Sequence, residues 1–175
     1  EMSNTNPFIL RLGSFLPQTA GYSREYSFEQ SEIQLKNDFI LRDLKGLLTA
    51  SRTQRGLLLQ GDFKGNLKLE CGRCLSIYEH YLNWELTEFY VFNQRDAEED
   101  DLVLSDNAEI NLTESVTEEA QLDIPINPVC KNNCQGLCQT CGTNLNIEDC
   151  KHKDIPLEEI SDEDASPFAG LKDLL

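Results

Sequence analysis

The stretch LLLQGDFKGNLKLECGRCLSIYEHYLNWELTEFYVF, residues 57–92, decides how the chain is read. Its second half alternates apolar and polar residues with a period of two, the signature of a half-buried strand. Tyr81, Trp84, Leu86, Phe89 and Val91 are the expected core or cross-strand contacts. Between the two halves stands Cys71-Gly-Arg-Cys74, a pair of thiols at the end of a strand. A sheet and a thiol site therefore meet at one point of the sequence.

Working outward, residues 8–12 and 22–35 are rich in aromatic and β-branched residues and read as strands, with Ile33 and Leu35 on one side. Residues 47–54 and 57–62 flank Arg55-Gly56, a hairpin signal, and Gly65-Asn66 reads as a further turn breaking 63–70. Residues 38–48 read either as strand or as a short helix, since Phe39, Leu44 and Leu48 fall at helical spacing. The expectation is an antiparallel sheet, as a sandwich or a partly open barrel. After it comes NQRDAEEDDLVLSD, 93–106, too acidic and too poor in apolar periodicity to pack. Residues 110–122 then predict a helix with Thr113 as N-cap and Leu112, Val116, Ala120 and Leu122 on its apolar side. Pro125 and Pro128 end it.

The charge is segregated. Residues 1–95 hold 11 basic and 11 acidic side chains, residues 96–127 hold 11 acids and no base, and the whole chain carries −16. Such a balance is repelled as a whole by nucleic acid and anionic lipid, so contact with either requires a local basic face. One candidate exists: Arg42, Lys45, Arg52, Arg55, Lys64, Lys68 and Arg73 lie within 32 residues and are opposed there by three acids. The alternative is a solvated outer sheet face. No run of 18 apolar residues occurs, and the first residues lack a basic and apolar leader, so a cytoplasmic protein without a membrane span is expected.

Seven cysteines fall as Cys71/Cys74, Cys130/Cys134, Cys138/Cys141 and Cys150, the last joined by His152 two residues on. Eight donors in four close pairs suit two tetrahedral metal sites. In chain order, Cys71, Cys74, Cys130 and Cys134 form one set, and Cys138, Cys141, Cys150 and His152 the other. An interleaved pairing, with Cys71 and Cys74 joining Cys138 and Cys141, stays open beside it. Two further readings stand next to metal: buried thiols without an ion, and a CxxC redox couple, which lacks its usual βαβ setting here. A bound zinc would be structural rather than catalytic, because a catalytic zinc needs an open position and a nearby base. His80 lies in a strand segment, and no catalytic motif such as GxSxG or HExxH is present.

Cys71-Gly-Arg-Cys74-Leu75, Ile110-Asn111-Leu112, Pro128-Val129-Cys130 and the run from Cys134 to Asn146, CQGLCQTCGTNLN, resemble the YceD family of large ribosomal RNA subunit accumulation proteins. Ser166-Pro167-Phe168 with Leu171 is similar to that family's closing motif, and His152 stands where many members carry cysteine. The resemblance implies a non-catalytic role in synthesis, processing or stability of large-subunit (23S) ribosomal RNA. Its partner would be that RNA or a pre-ribosomal particle. The rival is an acidic adaptor or chaperone that binds a basic ribosomal protein; a second is a thiol-redox or zinc enzyme. The expected architecture is α+β. An antiparallel β domain (1–95) is followed by an acidic mobile loop (96–109). A helix and zinc segment (110–154) packs on the β domain, and an acidic tail (155–175) ends in a short helix.

Overall fold

The computed structural model describes residues 6–36, 39–99 and 101–152. The expected tail over 155–175 lies outside the described residues. The protein is α+β, mostly sheet with one helix. Four long strands, β2 (Ser23–Lys36), β3 (Phe39–Arg52), β4 (Gly56–Glu70) and β5 (Ile77–Val91), form an antiparallel meander. A two-residue strand, β6 (Leu102–Val103), adds parallel to β5. A separate two-stranded sheet joins β1 (Ile9–Arg11) to β7 (Glu109–Asn111), and α1 (Thr113–Leu122) follows.

Alternation along β4 places Leu57, Leu59, Gly61, Phe63, Gly65 and Leu67 on the buried face, with Leu82, Trp84 and Leu86 beside them on β5. Helix α1 touches both β2 and β5. Three inter-strand steps separate those strands, about 14 Å in a flat sheet, so the open sheet curls around its contents. An aromatic column fills the curl: Phe8 stacks on Phe28 at 5.3 Å, Phe28 meets Phe63 at 5.5 Å, and Phe63 stacks on Trp84 at 5.8 Å. Burying each such ring stabilises the fold by about 1.5–3 kcal/mol. The backbone is shaped to admit Phe63, since a Cβ on Gly46 would lie 2.2 Å from its ring.

Several expectations need correction. The helical reading of 38–48 gives way to strand: Phe39–Leu48 belongs to β3. A bulge between Arg42 and Lys45, with Asp43 at φ 48°, shifts the alternation by one residue. Phe39, Leu44 and Leu48 therefore face inward at a spacing that imitates a helix. Gly65-Asn66 is no turn but continuous β4, paired with Leu82 and Tyr81. Tyr81 points outward and is exposed.

The helix begins at Thr113, because Ile110 pairs with Leu10 in the small sheet. Asn111, not Thr113, supplies the capping oxygen: its Oδ1 accepts the Thr113 N–H at 3.1 Å. Leu122 lies in solvent at the helix end, while Leu112, Val116 and Ala120 are buried as expected. Within the acidic run, Leu102 and Val103 pair with Tyr90 and Val91, and Leu104 is buried, so this stretch does hold an edge strand.

Candidate metal centre

Strands β4 and β5 end and begin at the same place, and the turn between them carries Cys71 and Cys74. The Leu75 N–H closes the turn on the Cys71 carbonyl at 2.9 Å, with Leu75 at φ 59°. The same knuckle recurs at Cys138 to Gly142: the Gly142 N–H reaches the Cys138 carbonyl at 2.9 Å with φ 73°. In both, a positive φ directly after the second cysteine turns the chain back so that both sulfurs face one point. Glycine takes that conformation without strain in the second knuckle, and exposed Leu75 bears it in the first.

The structure brings the eight donors together in two sets. Cys71, Cys74, Cys130 and Cys134 form one, Cys138, Cys141, Cys150 and His152 the other, with the donor atoms of each within 4.8 Å of one another. Membership follows chain order. A tetrahedral ion with metal–sulfur bonds of about 2.3 Å places its sulfurs about 3.8 Å apart. The Cys71–Cys134 and Cys74–Cys130 sulfur separations are 3.8 Å and 3.7 Å. The first set is thus already spaced for an ion. In the second, the buried Nδ1 of His152 has no hydrogen-bond partner among the described residues, as befits a donor set that takes a metal.

Polar groups around the first set prepare it for anionic sulfur. The Arg73 N–H points at Cys71 Sγ at 3.5 Å, and Asn146 Nδ2 donates to Cys134 Sγ at 3.3 Å. Burial pushes the Cys71 thiol up, yet the backbone N–H groups of Cys130, Cys74 and Arg73 outweigh it and bring it down to about 6. Cys130 goes the other way: burial and the neighbouring thiols push it up to about 12. The Ser76 hydroxyl and backbone lower Cys74. Asn144 in turn donates from Nδ2 to Ser76 Oγ at 3.2 Å. Sequence reading assigns no role to Ser76, Asn144 and Asn146; the signal is a hydroxyl two residues past the first CxxC and an Asn-x-Asn past the second. Tyr78, Val129 and Leu137 cover the first set with apolar surface.

The two sets lean on each other. Leu137 N–H donates to the Arg73 carbonyl at 3.1 Å, and Gly136 before it sits at φ 75° with its missing Cβ 3.1 Å from that oxygen.

Thiol reactivity separates the positions. Cys141 is exposed and is lowered to about 7 by the Thr143 hydroxyl and N–H and by Cys138. At pH 7.5 iodoacetamide is expected to modify exposed Cys141 of the folded chain well before Cys130, whose thiol is pushed up by burial; peptide mapping in the reverse order would contradict this arrangement.

The seven basic candidates do not form one free face. Arg42 pairs with Glu32 at 3.0 Å and Glu79 at 3.7 Å, Lys45 with Glu29 at 3.4 Å, and Arg55 with Asp101 at 3.8 Å. Arg52 is a structural clasp, donating to the Phe15 carbonyl at 3.0 Å with its guanidinium 4.9 Å from the Phe92 ring centre. Arg73 reaches the Cys134 carbonyl at 3.2 Å. Lys64 and Lys68 are exposed on the outer face of β4, without a salt bridge among the described residues. Arg52→Ala is therefore expected to lower stability by about 1–2 kcal/mol through the lost hydrogen bond and ring contact; an unchanged urea midpoint would contradict that assignment. His80 belongs to neither thiol set and lies edge-on to Tyr78.

Fold and site together define a β-rich protein with two clusters of Cys and His side chains that could hold metal ions, one spanning the β4–β5 turn and the segment after α1, the other within that segment. The chain belongs to the YceD family, described as "Large ribosomal RNA subunit accumulation protein YceD", which it matches over residues 59–175. It is 30% identical over 105 residues to uncharacterized proteins of Mycobacterium bovis and Mycobacterium tuberculosis, covering 58% of this chain and 51% of theirs. It is also 38% identical over 50 residues to the chloroplastic YCED homolog 1 of Zea mays, named as a large ribosomal RNA subunit accumulation protein; that match covers 27% of this chain and 17% of the maize protein. The chain spans about half the length of the mycobacterial relatives it matches. No solved structure matches the chain. Among the described residues no helix is long and apolar enough to cross a membrane.

Proposed function

We propose that this chain is a non-catalytic cytoplasmic factor, held in shape by two structural zinc ions, that supports synthesis, processing or stability of large-subunit (23S) ribosomal RNA. The observation that carries the zinc reading is the sulfur spacing of 3.8 Å and 3.7 Å in the first set. Four thiolates, or three thiolates with one imidazole, are the donor chemistry of closed zinc sites. In such sites every coordination position is filled by protein, and the ion supplies shape rather than a bound water for attack. The ribosomal part rests on the description of the family.

Zinc would be held by Cys71, Cys74, Cys130 and Cys134 in one site and by Cys138, Cys141, Cys150 and His152 in the other. The first fixes the β4–β5 turn to the segment after α1; the second folds that segment on itself. Direct RNA contact would fall to Lys64 and Lys68, since Arg42, Lys45, Arg52, Arg55 and Arg73 are already engaged. That engagement also favours the second reading, an adaptor whose acids hold a basic ribosomal protein.

In cells lacking this protein, large-subunit rRNA is expected to fall relative to small-subunit rRNA. The wild-type chain restores the ratio, and Cys71→Ser with Cys134→Ser does not. An unchanged ratio in the deletion strain would sink the ribosomal reading. Lys64→Glu with Lys68→Glu should weaken crosslinking to RNA; if crosslinking persists while neutralising Glu98, Glu99 and Asp101 abolishes capture of a basic protein, the adaptor is the better account.

A further inference from the structure

The two sets of donors differ in how they meet solvent. Cys71, Cys74 and Cys134 are 0%, 5% and 6% exposed, and Tyr78, Val129 and Leu137 pack against them. In the second set, Cys138 is nearly buried but Cys141, three residues on, is exposed. Its sulfur lies 3.2 Å from the Thr143 hydroxyl, another group on the same open hairpin. Both thiols sit on one tight knuckle, with donor atoms within 4.8 Å of one another. The remaining donors, Cys150 and His152, come from a later segment that this set alone ties to the hairpin among the metal-ligating groups.

We propose that Cys138 and Cys141 are an oxidative modification site: a peroxide converts them to a disulfide, discharging the second metal ion while the first stays in place. This rests on the two-zinc reading above. In the first step the Cys141 thiolate attacks the peroxide; an S–O bond forms, the O–O bond breaks, and the leaving hydroxide takes a proton to become water. In the second step the Cys138 thiolate attacks the sulfenic sulfur; the S–S bond forms, the S–O bond breaks, and a second hydroxide leaves as water. The two thiolates give up two electrons and the peroxide takes them, so zinc, which has no redox chemistry, keeps its charge throughout. It leaves because half its ligands are gone. Cys150 and His152 are then released from the hairpin. In the first set Cys71, Cys74 and Cys134 are buried away from the same attack, and half-buried Cys130 packs against them, so Cys141 is the one exposed thiol of the eight donors.

The test is a hydrogen peroxide titration of the metal-loaded full chain, followed by native mass spectrometry, a chromogenic zinc chelator and peptide mapping after alkylation. The expected result is loss of one of two ions, a disulfide linking Cys138 to Cys141, and return of the ion on reduction with added zinc. Cys141→Ala should carry one ion and release none at the same peroxide dose. Two ions leaving at the same rate, or a first disulfide among Cys71, Cys74, Cys130 and Cys134, would overturn this proposal alone. A chain that takes up no zinc before peroxide is added would overturn the two-zinc reading with it.

Discussion

Cys134→Ser is expected to lose one bound metal ion and to melt far below the wild type. Cys134 is 6% exposed, its sulfur is 3.8 Å from that of Cys71, and it receives the Asn146 amide. A serine oxygen is a poor replacement for a zinc-bound thiolate. Structural zinc contributes an apparent 10–16 kcal/mol in small zinc-binding peptides, roughly the whole stability of a domain. Even a loss of about 5 kcal/mol lowers the melting temperature of a chain this size by roughly 10–20 °C. The damage should be local first. The segment carrying Cys130 to His152 has little apolar burial of its own, whereas the curled sheet keeps its aromatic column. Hydrogen exchange should therefore show opening over residues 128–152 with the strands still protected. A variant that keeps both ions and its melting temperature would remove the clamp from this account.

The second large effect lies in the sheet. Gly46→Ala should destabilise by about 3 kcal/mol, because its Cβ would meet the Phe63 ring at 2.2 Å and force the ring off Trp84. Phe63→Ala alone should cost about 3–5 kcal/mol through the cavity it leaves. Together they should cost less than the sum, by about 1–2 kcal/mol, since the added methyl enters space the ring has vacated. Urea denaturation of the two single variants and the double variant measures this directly. Strict additivity would mean that Gly46 and Phe63 do not share that space.

These two regions differ in how much of them could be read beforehand. Strand β5 announces itself, since Leu82, Trp84 and Leu86 alternate with Asn83 and Glu85 without interruption. Strand β3 does not. Its bulge at Asp43 inserts one residue into a period of two, and the resulting spacing of Phe39, Leu44 and Leu48 is helical by accident. Gly65 misleads as well: Gly65-Asn66 has the composition of a turn pair but runs straight through β4, paired with Leu82 and Tyr81. Strands β6 and β7 are two and three residues long and exist through their partners, too short for any period to register, whereas β1 lies inside the stretch 8–12 that reads as a strand.

At the site, chain order was the favoured grouping because it closes the second set within 15 residues, and the donors do cluster that way. What the sequence hid was the polar lattice. Ser76 joins Cys74 to Asn144, and Asn146 joins the second knuckle to Cys134. A serine and two asparagines carry no sign of such a role until the fold brings them to sulfur. The basic run from Arg42 to Arg73 was open to two readings, a shared phosphate-gripping face or a solvated outer sheet face. Proximity in sequence suggested one face, but cross-strand carboxylates at Glu29 and Glu32 occupy two of its members.

We propose that two closed metal sites hold the segment after α1 in place on this fold. Native mass spectrometry of the chain purified without chelator tests it most directly, with Cys150→Ser alongside. Two zinc ions are expected in the wild type and one in the variant, the survivor belonging to Cys71, Cys74, Cys130 and Cys134. A wild-type chain with free thiols and no zinc would contradict it.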